Sequence, residues 1–295
     1  MNFDYYSFTG RNIGFIDEHE QQLLRQARVF VCGVGGMGGA AFMALARAGV
    51  GRFVIADIDR FEVSNLNRQV FAFADEVGRE KAAVAAEAAK RINPTIEIEV
   101  LGENWTSELA GIAERCPVIV NGMDDIAAGV HLYRTAKHAE ATVIDAYMSP
   151  LPSVIVVRPR DPRPEQRLGF PTLGKDWTDI TDDDRRAAMR AEIEHVMLHS
   201  SSRNYVDLAI AGEVAAGRRS RMSFAPMVIS TGMLMAYEAV ALILGRSSGT
   251  DCRGWFLNPH RPAIEKPRNA LVAALMRPLV RRAIVQLTGV AWPPG

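Results

Sequence analysis

Cysteine is scarce in this 295-residue chain, which holds only Cys32, Cys116 and Cys252. An odd, scattered count excludes a framework of paired disulfides and suits a reducing compartment. It also excludes a four-cysteine zinc site, so no structural zinc is expected. An excess of either charge is missing too: 34 Lys+Arg stand against 34 Asp+Glu. That balance gives no general attraction to nucleic acid or to an anionic membrane. The opening Met1-Asn2-Phe3-Asp4 lacks the basic n-region and apolar core of a signal peptide, so a cytoplasmic location is expected. There is no internal repeat. One apolar run, Phe224 to Leu244, is about as long as the ~20 residues that span a bilayer. It contains Pro226, Ser230, Thr231 and Glu238, and an ionised Glu is costly in hydrocarbon. The run therefore reads as a helix buried in the domain or at a subunit interface, with no membrane partner.

Hydrophobic residues make up 48% of the chain, ample for a core. Arg28 to Cys32 reads as a short apolar strand, Gly36 to Ala48 as a helix, and Phe53 to Ala56 as a second strand. This is the strand, glycine turn, helix, strand unit of a doubly wound sheet. Helices over 80–92, 107–115 and 127–139 then alternate with strands over 96–100, 118–120 and 142–146. Such repetition predicts an α/β fold with a mostly parallel sheet. After Pro150 the rhythm changes. Ser153 to Val157 follows the previous strand closely and predicts an antiparallel C-terminal extension. Arg158 to Lys175 reads as irregular, and Thr181-Asp182-Asp183-Asp184 as a helix start. Asn269 to Leu287 reads as a terminal helix interrupted by Pro278. The boundaries expected are a helical segment over 1–28, a nucleotide-binding domain over 29–265 with an irregular insertion near 158–220, and a tail or helix over 266–295.

In a doubly wound sheet, ligands bind beyond the carboxyl ends of the strands. Gly33, Gly35, Gly36 and Gly38 sit there, where missing side chains let backbone N–H groups approach a phosphate. Asp57 ends the second strand about 20 residues on, the place for a ribose-binding acid. Asp59 lies two residues into the loop and is the weaker candidate. These features alone also suit a nicotinamide-dependent oxidoreductase. Asn65, Asn67, Arg68 and Gln69 then crowd one short loop, and Arg offers a planar fork for phosphate oxygens. Lys81 stands at a helix start, where a cation opposes the helix dipole unless an anion lies nearby. Asp124 and Asp125 follow the strand 118–120. One carboxylate there can hold Mg²⁺, while Asp125 competes as an N-cap for the next helix. His195 and His199 share a helix face, but no third metal ligand is evident. Arg277, Arg281 and Arg282 read as a solvated edge.

The runs Gly33-Val34-Gly35-Gly36-Met37-Gly38, Asp57-Ile58-Asp59, Ser64-Asn65-Leu66-Asn67-Arg68-Gln69, Val77-Gly78 with Lys81, and Met123-Asp124-Asp125 resemble, in order and spacing, the ThiF/MoeB/HesA family. That family includes the adenylation domains of ubiquitin-activating enzymes. The resemblance covers roughly residues 11 to 147 well and the rest loosely. It implies a Rossmann-like fold, a homodimer, and ATP- and Mg²⁺-dependent activation of a carboxylate as an acyl adenylate, with release of pyrophosphate. It further implies that Gly35 and its neighbours cradle the nucleotide and that Asp57 binds ribose. Asn65, Arg68 and Lys81 would contact the triphosphate, with Asp125 also at the nucleotide and Asp124 on Mg²⁺. Family members often place an N-terminal arginine in the partner's site, and Arg11 is the match here, although Phe8 replaces a further arginine. The zinc-binding cysteine pairs of many relatives are missing. No cysteine lies between Cys116 and Cys252, so the excursion after Arg158 supplies no thioester nucleophile. The expected substrate is the C-terminus of a ubiquitin-like or sulfur-carrier protein, a peptide or a small acid. The alternatives are a tRNA-modifying dehydratase of the same family, which the neutral charge does not favour, a nicotinamide-dependent oxidoreductase, and an inert subunit that pairs with an active relative.

Overall fold

The computed structural model describes residues 3–291. Two N-terminal helices, α1 (Tyr5–Thr9) and α2 (Glu18–Gln26), lead into alternating strands and helices. These are β1 (Arg28–Cys32), α3 (Met37–Ala48), β2 (Arg52–Ala56), α4 (Lys81–Ile92), β3 (Glu97–Leu101), α5 (Trp105–Arg115), β4 (Val118–Asn121), α6 (Ile126–His138) and β5 (Thr142–Asp145). The second half adds β6 (Ser153–Val157), α7 (Pro164–Leu168), α8 (Asp182–His199), α9 (Leu208–Ala215), α10 (Ala225–Ile243), β7 (Trp255–Asn258), β8 (Ala263–Glu265) and α11 (Ala270–Thr288).

The strands form one sheet in the order β3-β2-β1-β4-β5-β6-β7-β8. Strands β1 to β5 pair in parallel; β6, β7 and β8 continue the sheet antiparallel. Each buried strand sends alternate residues to opposite faces. Val29 and Val31 enter a core with Phe42, Leu45 and Met235, under α3 and α10. Phe30 and Cys32 enter the other core with Trp105, Leu109 and Leu132, under α5 and α6. The chain winds outward from β1 in one direction and from β4 in the other, so the order reverses between β1 and β4. In open α/β sheets that crevice is where ligands bind.

The second half departs from expectation in two places. The insertion near 158–220 is largely helical, because α7, α8 and α9 occupy much of it. The terminal helix is not broken at Pro278: α11 runs through it. Proline removes one helical hydrogen bond. Val280 and Ile284 bury against Leu198 of α8, and Ala273 is also buried, so packing holds the helix on both sides of the proline.

Of the described helices, α10 alone is long and apolar enough to cross a membrane by length and composition. It lies against α3, where a side chain on Gly232 would come within 2.5 Å of the Met37 carbonyl. Its Glu238 is buried and accepts the Thr250 hydroxyl, which is the packing of a domain helix.

Candidate active site

The crevice between β1 and β4 is built from glycine. Gly33 has φ of 86°, and a Cβ there would sit 2.7 Å from the Gly122 carbonyl carbon. A Cβ on Gly38 would come within 1.9 Å of the Gly33 oxygen. The ends of β1, α3 and β4 thus meet with no room for side chains. The first turn of α3, with Gly36 as its cap and Gly38 and Gly39 within it, carries few side chains of its own beside its backbone N–H groups, while Val228 packs against Gly36.

Asp57 fastens this loop. One carboxylate oxygen accepts the Val34 N–H at 2.9 Å and the other the Asp59 N–H at 3.0 Å. Burial pushes its pKa up, opposed by those bonds and by Lys81. Each oxygen keeps a further lone pair for a donor such as a ribose hydroxyl.

The structure gives several expected phosphate ligands partners of their own. Lys81 opens α4 but is buried, and its Nζ donates to Asp59 at 2.7 Å. An acid of its own chain thus relieves the charge at that helix start. Asp59 is therefore more than a bystander. Asn65 is buried and its Oδ1 accepts the Glu62 N–H at 3.0 Å, fixing its own loop. Arg68 donates to the Ser64 carbonyl at 2.6 Å and to Asn67 at 2.9 Å. Asp125 caps α6 by accepting from Ala128 at 2.7 Å, and its other oxygen meets Arg185 at 3.2 Å. The capping role weighed for Asp125 is thus the one the geometry displays.

Two groups have no such partner. Asp124 is exposed, and among the described residues its carboxylate makes no hydrogen bond or ion pair. Gln69 is 8% exposed, and its Oε1 is buried without a partner. Its amide end lies against the glycine loop, 3.4 Å from where a Cβ on Gly35 would be. An unpaired buried acceptor is costly, so a ligand donor at the loop would relieve it. A cradle free of side chains, an orphaned amide and an unengaged carboxylate together fit a nucleotide with one Mg²⁺, which needs only one or two protein carboxylates.

Beyond Asp124 lies a cleft that opens to solvent. Met37, Asn121, Met123, Asp124, Asp145 and Glu192 are on its wall. Asp145 ends β5, one strand over from Asn121. It accepts from Tyr133 Oη at 2.6 Å, Asn121 Nδ2 at 2.8 Å and Ala146 N–H at 2.7 Å. Burial pushes its pKa up to about 7 despite these bonds. Glu192 of α8 accepts the Met148 N–H and is also pushed up by burial. The segment before α10 ties the two halves of the site together. Arg221 donates to the Asp124 carbonyl at 3.1 Å, and Ser223 accepts from Asn67 at 3.3 Å.

Several of these residues escaped sequence reasoning. The contact of Gly122 with Gly33 depends on strand order. Asp145 carried a usable signal: it is an acid at the carboxyl end of a parallel strand. Nothing local marked Glu192 or Arg221.

Arg11 is not brought to this cleft by its own chain. Its neighbour Asn12 donates to the Ala48 carbonyl at 3.1 Å, so it lies at the far end of α3. That is about 18 Å along the helix from the glycine loop. The three thiols are all buried. Burial pushes Cys32 and Cys252 up and Cys116 to about 11, which makes them poor nucleophiles. His195 and His199 gain no third partner: among the described residues no group of three or more His, Cys, Asp or Glu is placed to hold a metal.

Over 90 residues the chain is 42% identical to a sulfur carrier protein adenylyltransferase of Thermus thermophilus, covering 30% of this chain and 33% of that protein. Over 91 residues it is 42% identical to the tRNA threonylcarbamoyladenosine dehydratase of Escherichia coli, covering 31% and 34%. Each match thus spans about a third of the relative's length. Among solved structures, Escherichia coli MccB with ATP aligns at a TM-score of 0.62 and 19% identity, over 92% of this chain and 74% of that one. The Escherichia coli dehydratase aligns at 0.57 and 18%, over 81% and 95%. These two share the fold described above. The ThiF family model matches residues 9–271, most of the chain, and the protein belongs to the ThiF family.

Proposed function

We propose that the chain binds ATP across the β1–β4 crevice and activates a carboxylate as an acyl adenylate, releasing pyrophosphate. The observation that carries this reading is the unengaged Asp124 carboxylate between the glycine cradle and the wide cleft. A nucleotide in the cradle brings its phosphates past Asp124, on the side that faces that cleft. The substrate carboxylate is already ionised at neutral pH, so attack on the α-phosphorus needs no general base. It needs stabilisation of charge on the phosphate oxygens and on the leaving pyrophosphate. Mg²⁺ held by Asp124 would supply part of that stabilisation. The N-terminus of α3 contributes fixed N–H groups, Arg68 lends positive charge from its loop, and Lys81, paired with Asp59, stands at the start of α4. Gln69 orients toward the cradle and Asp57 toward the ribose. In this reading the protein works as a homodimer in which Arg11 serves the partner's site.

Sulfur-carrier relatives favour a carrier-protein C-terminus as substrate. The test is ATP–pyrophosphate exchange with carrier proteins, peptides and small acids in turn. Exchange that depends on one of them supports the reading. ATP failing to bind while NAD binds would overturn it in favour of an oxidoreductase.

A second reading within the family is a dehydratase acting on a modified tRNA nucleoside. It is favoured by the 42% identity over 91 residues to the Escherichia coli dehydratase. The equal numbers of acidic and basic residues weigh against it, because tRNA binding calls for a basic face. Retention on a tRNA column at moderate salt would revive it.

A further inference from the structure

The wide cleft beyond Asp124 has its own chemistry. Much of its wall is apolar, with Met37, Ile126, Val130, Ile155 and Phe170 among the lining. Such a wall with a few fixed polar groups is the usual make-up of a small-molecule site. The charges on it are sorted. Glu165 is matched by Arg134 at 2.7 Å and by Arg163 at 2.9 Å, so that carboxylate is neutralised within the protein. Among the described residues Asp145 has no cation in ion-pair reach, and its hydrogen-bond partners are all neutral. Glu192, facing the same space from α8, accepts a backbone N–H and has the positive charges of Arg221 and Arg167 nearby. Arg221 stands on the Asp124 side, donating to that residue's carbonyl.

The position of Asp145 matters as much as its charge. It ends β5, beside β4, and neighbouring strands lie about 4.8 Å apart. Asn121 couples the two strand ends. Its Nδ2 donates to Asp145, while its Oδ1 accepts the Met123 N–H at 3.2 Å, next to Asp124. Tyr133 clamps the same carboxylate from α6. One carboxylate is therefore held in a fixed orientation, one strand away from the residues assigned to the phosphates. A second anion would be repelled there; a group with N–H protons and positive charge would be held.

We propose that this cavity receives the acyl acceptor, and that the acceptor is a primary amine held and deprotonated by Asp145. The inference rests on the activation reading given above. The bound ammonium first sheds one proton to solvent, and the uncharged nitrogen then forms a C–N bond to the activated carbonyl carbon. One N–H proton passes to the Asp145 carboxylate, the C–O bond to phosphate breaks, and AMP leaves with the electron pair. The product is an amide. No thiol is required, in accord with the burial of all three cysteines.

Two experiments on the full chain test this. In the first, n-butylamine and n-butanol are titrated calorimetrically into the protein saturated with AMP. Saturable binding of the amine and not of the alcohol is expected. Asp145→Asn keeps an acceptor for Tyr133 and Asn121, and it should weaken amine binding at least about tenfold, as loss of a charge partner does. Glu192→Gln should weaken it as well, and ATP affinity should be unchanged in both variants. Equal binding of amine and alcohol, or binding of neither, overturns the proposal whether or not activation occurs. In the second, the acid found by pyrophosphate exchange is incubated with ATP and n-butylamine. Amide and AMP are expected, with a rate that rises with pH as Asp145 ionises. Relative to its own rate of pyrophosphate exchange, Asp145→Asn should form amide about 100-fold more slowly than the parent chain, the scale of a lost general base. Exchange without amide in the wild-type chain sinks the amine acceptor alone. Absence of exchange sinks the activation reading, and the titration still decides what the cavity holds.

Discussion

Asp124 and Asp125 stand side by side after β4, yet their surroundings engage only Asp125. Replacing an exposed side chain that makes no bond changes stability by less than about 0.5 kcal/mol. Asp124→Ala should therefore melt like the parent chain. Its pyrophosphate exchange should fall at least about 100-fold, the effect of removing one electrostatic stabiliser. Unchanged exchange with bound ATP would remove Asp124 from the metal site. Asp145 makes a different prediction, in stability. Its carboxyl is raised from 3.8 to about 7 in the folded chain. A raised acid favours folding below its unfolded pKa, and that advantage is lost as pH rises through the folded value. Asp145→Asn should thus be stabilising relative to the parent at pH 8 and lose that benefit near pH 4. A shift of this size has an upper bound of about 4 kcal/mol. The cavity-facing side chain meets solvent, which reduces the effect. Denaturant melts at the two pH values check the sign. A variant less stable than the parent at pH 8 would contradict it.

At the scale of elements, the β1–α3–β4 junction fixes the cradle. Gly38→Ala places a Cβ 1.9 Å from the Gly33 oxygen, a backbone atom that cannot swing away. Overpacking of this kind costs about 1–3 kcal/mol or more. The expected outcome is a lower melting temperature together with loss of ATP binding, read by thermal shift with and without nucleotide. Normal ATP affinity in this variant would show that the loop tolerates the change. A second element responds to acid. Burial pushes His195 on α8 down to about 2 and His199 to about 4 from 6.5. Both stay neutral in the folded chain, so the unfolded chain takes up protons first as pH falls below 6.5. Asn and Gln replacements of the pair should flatten the loss of stability below that pH. The legibility of these elements followed physical lines. The run from β1 to β6 was readable because each unit carries a short apolar strand, a helix period and a glycine or Asn-Pro stop. Helix α9 was missed because Leu208–Ala215 is short and apolar, with a single acid inside it. Strand β8 was missed because three residues carry no period. The places of Asp57, Asp124 and the glycines near strand ends were readable from the alternation of strands and helices. The engagement of Lys81 with Asp59, and the gathering of Asp145, Glu192 and Arg221 around one cleft, depend on packing between distant segments.

At the scale of the whole molecule, one expected site residue lies away from the cleft of its own chain. Arg11 is exposed and lies beyond the far end of α3, a helix length from the cradle. If it acts, it acts on a second copy. An isologous dimer makes that arrangement reciprocal, each chain lending its arginine to the other's site. The surface offers material for such contact. Leu271, Leu275 and Leu279 form an exposed stripe on α11, and Tyr237 projects from α10. The consequence is a complementation experiment. Arg11→Ala chains retain Asp124, and Asp124→Ala chains retain Arg11, so each variant alone has no complete site. Mixed dimers contain one site with both residues and one with neither. Equal mixing with free exchange makes half the dimers mixed, so about a quarter of the sites are complete. Pyrophosphate exchange should therefore return to about a quarter of the parent rate on mixing. A mixture as inactive as its components, with subunit exchange shown by mass spectrometry, would mean that Arg11 does not cross between chains.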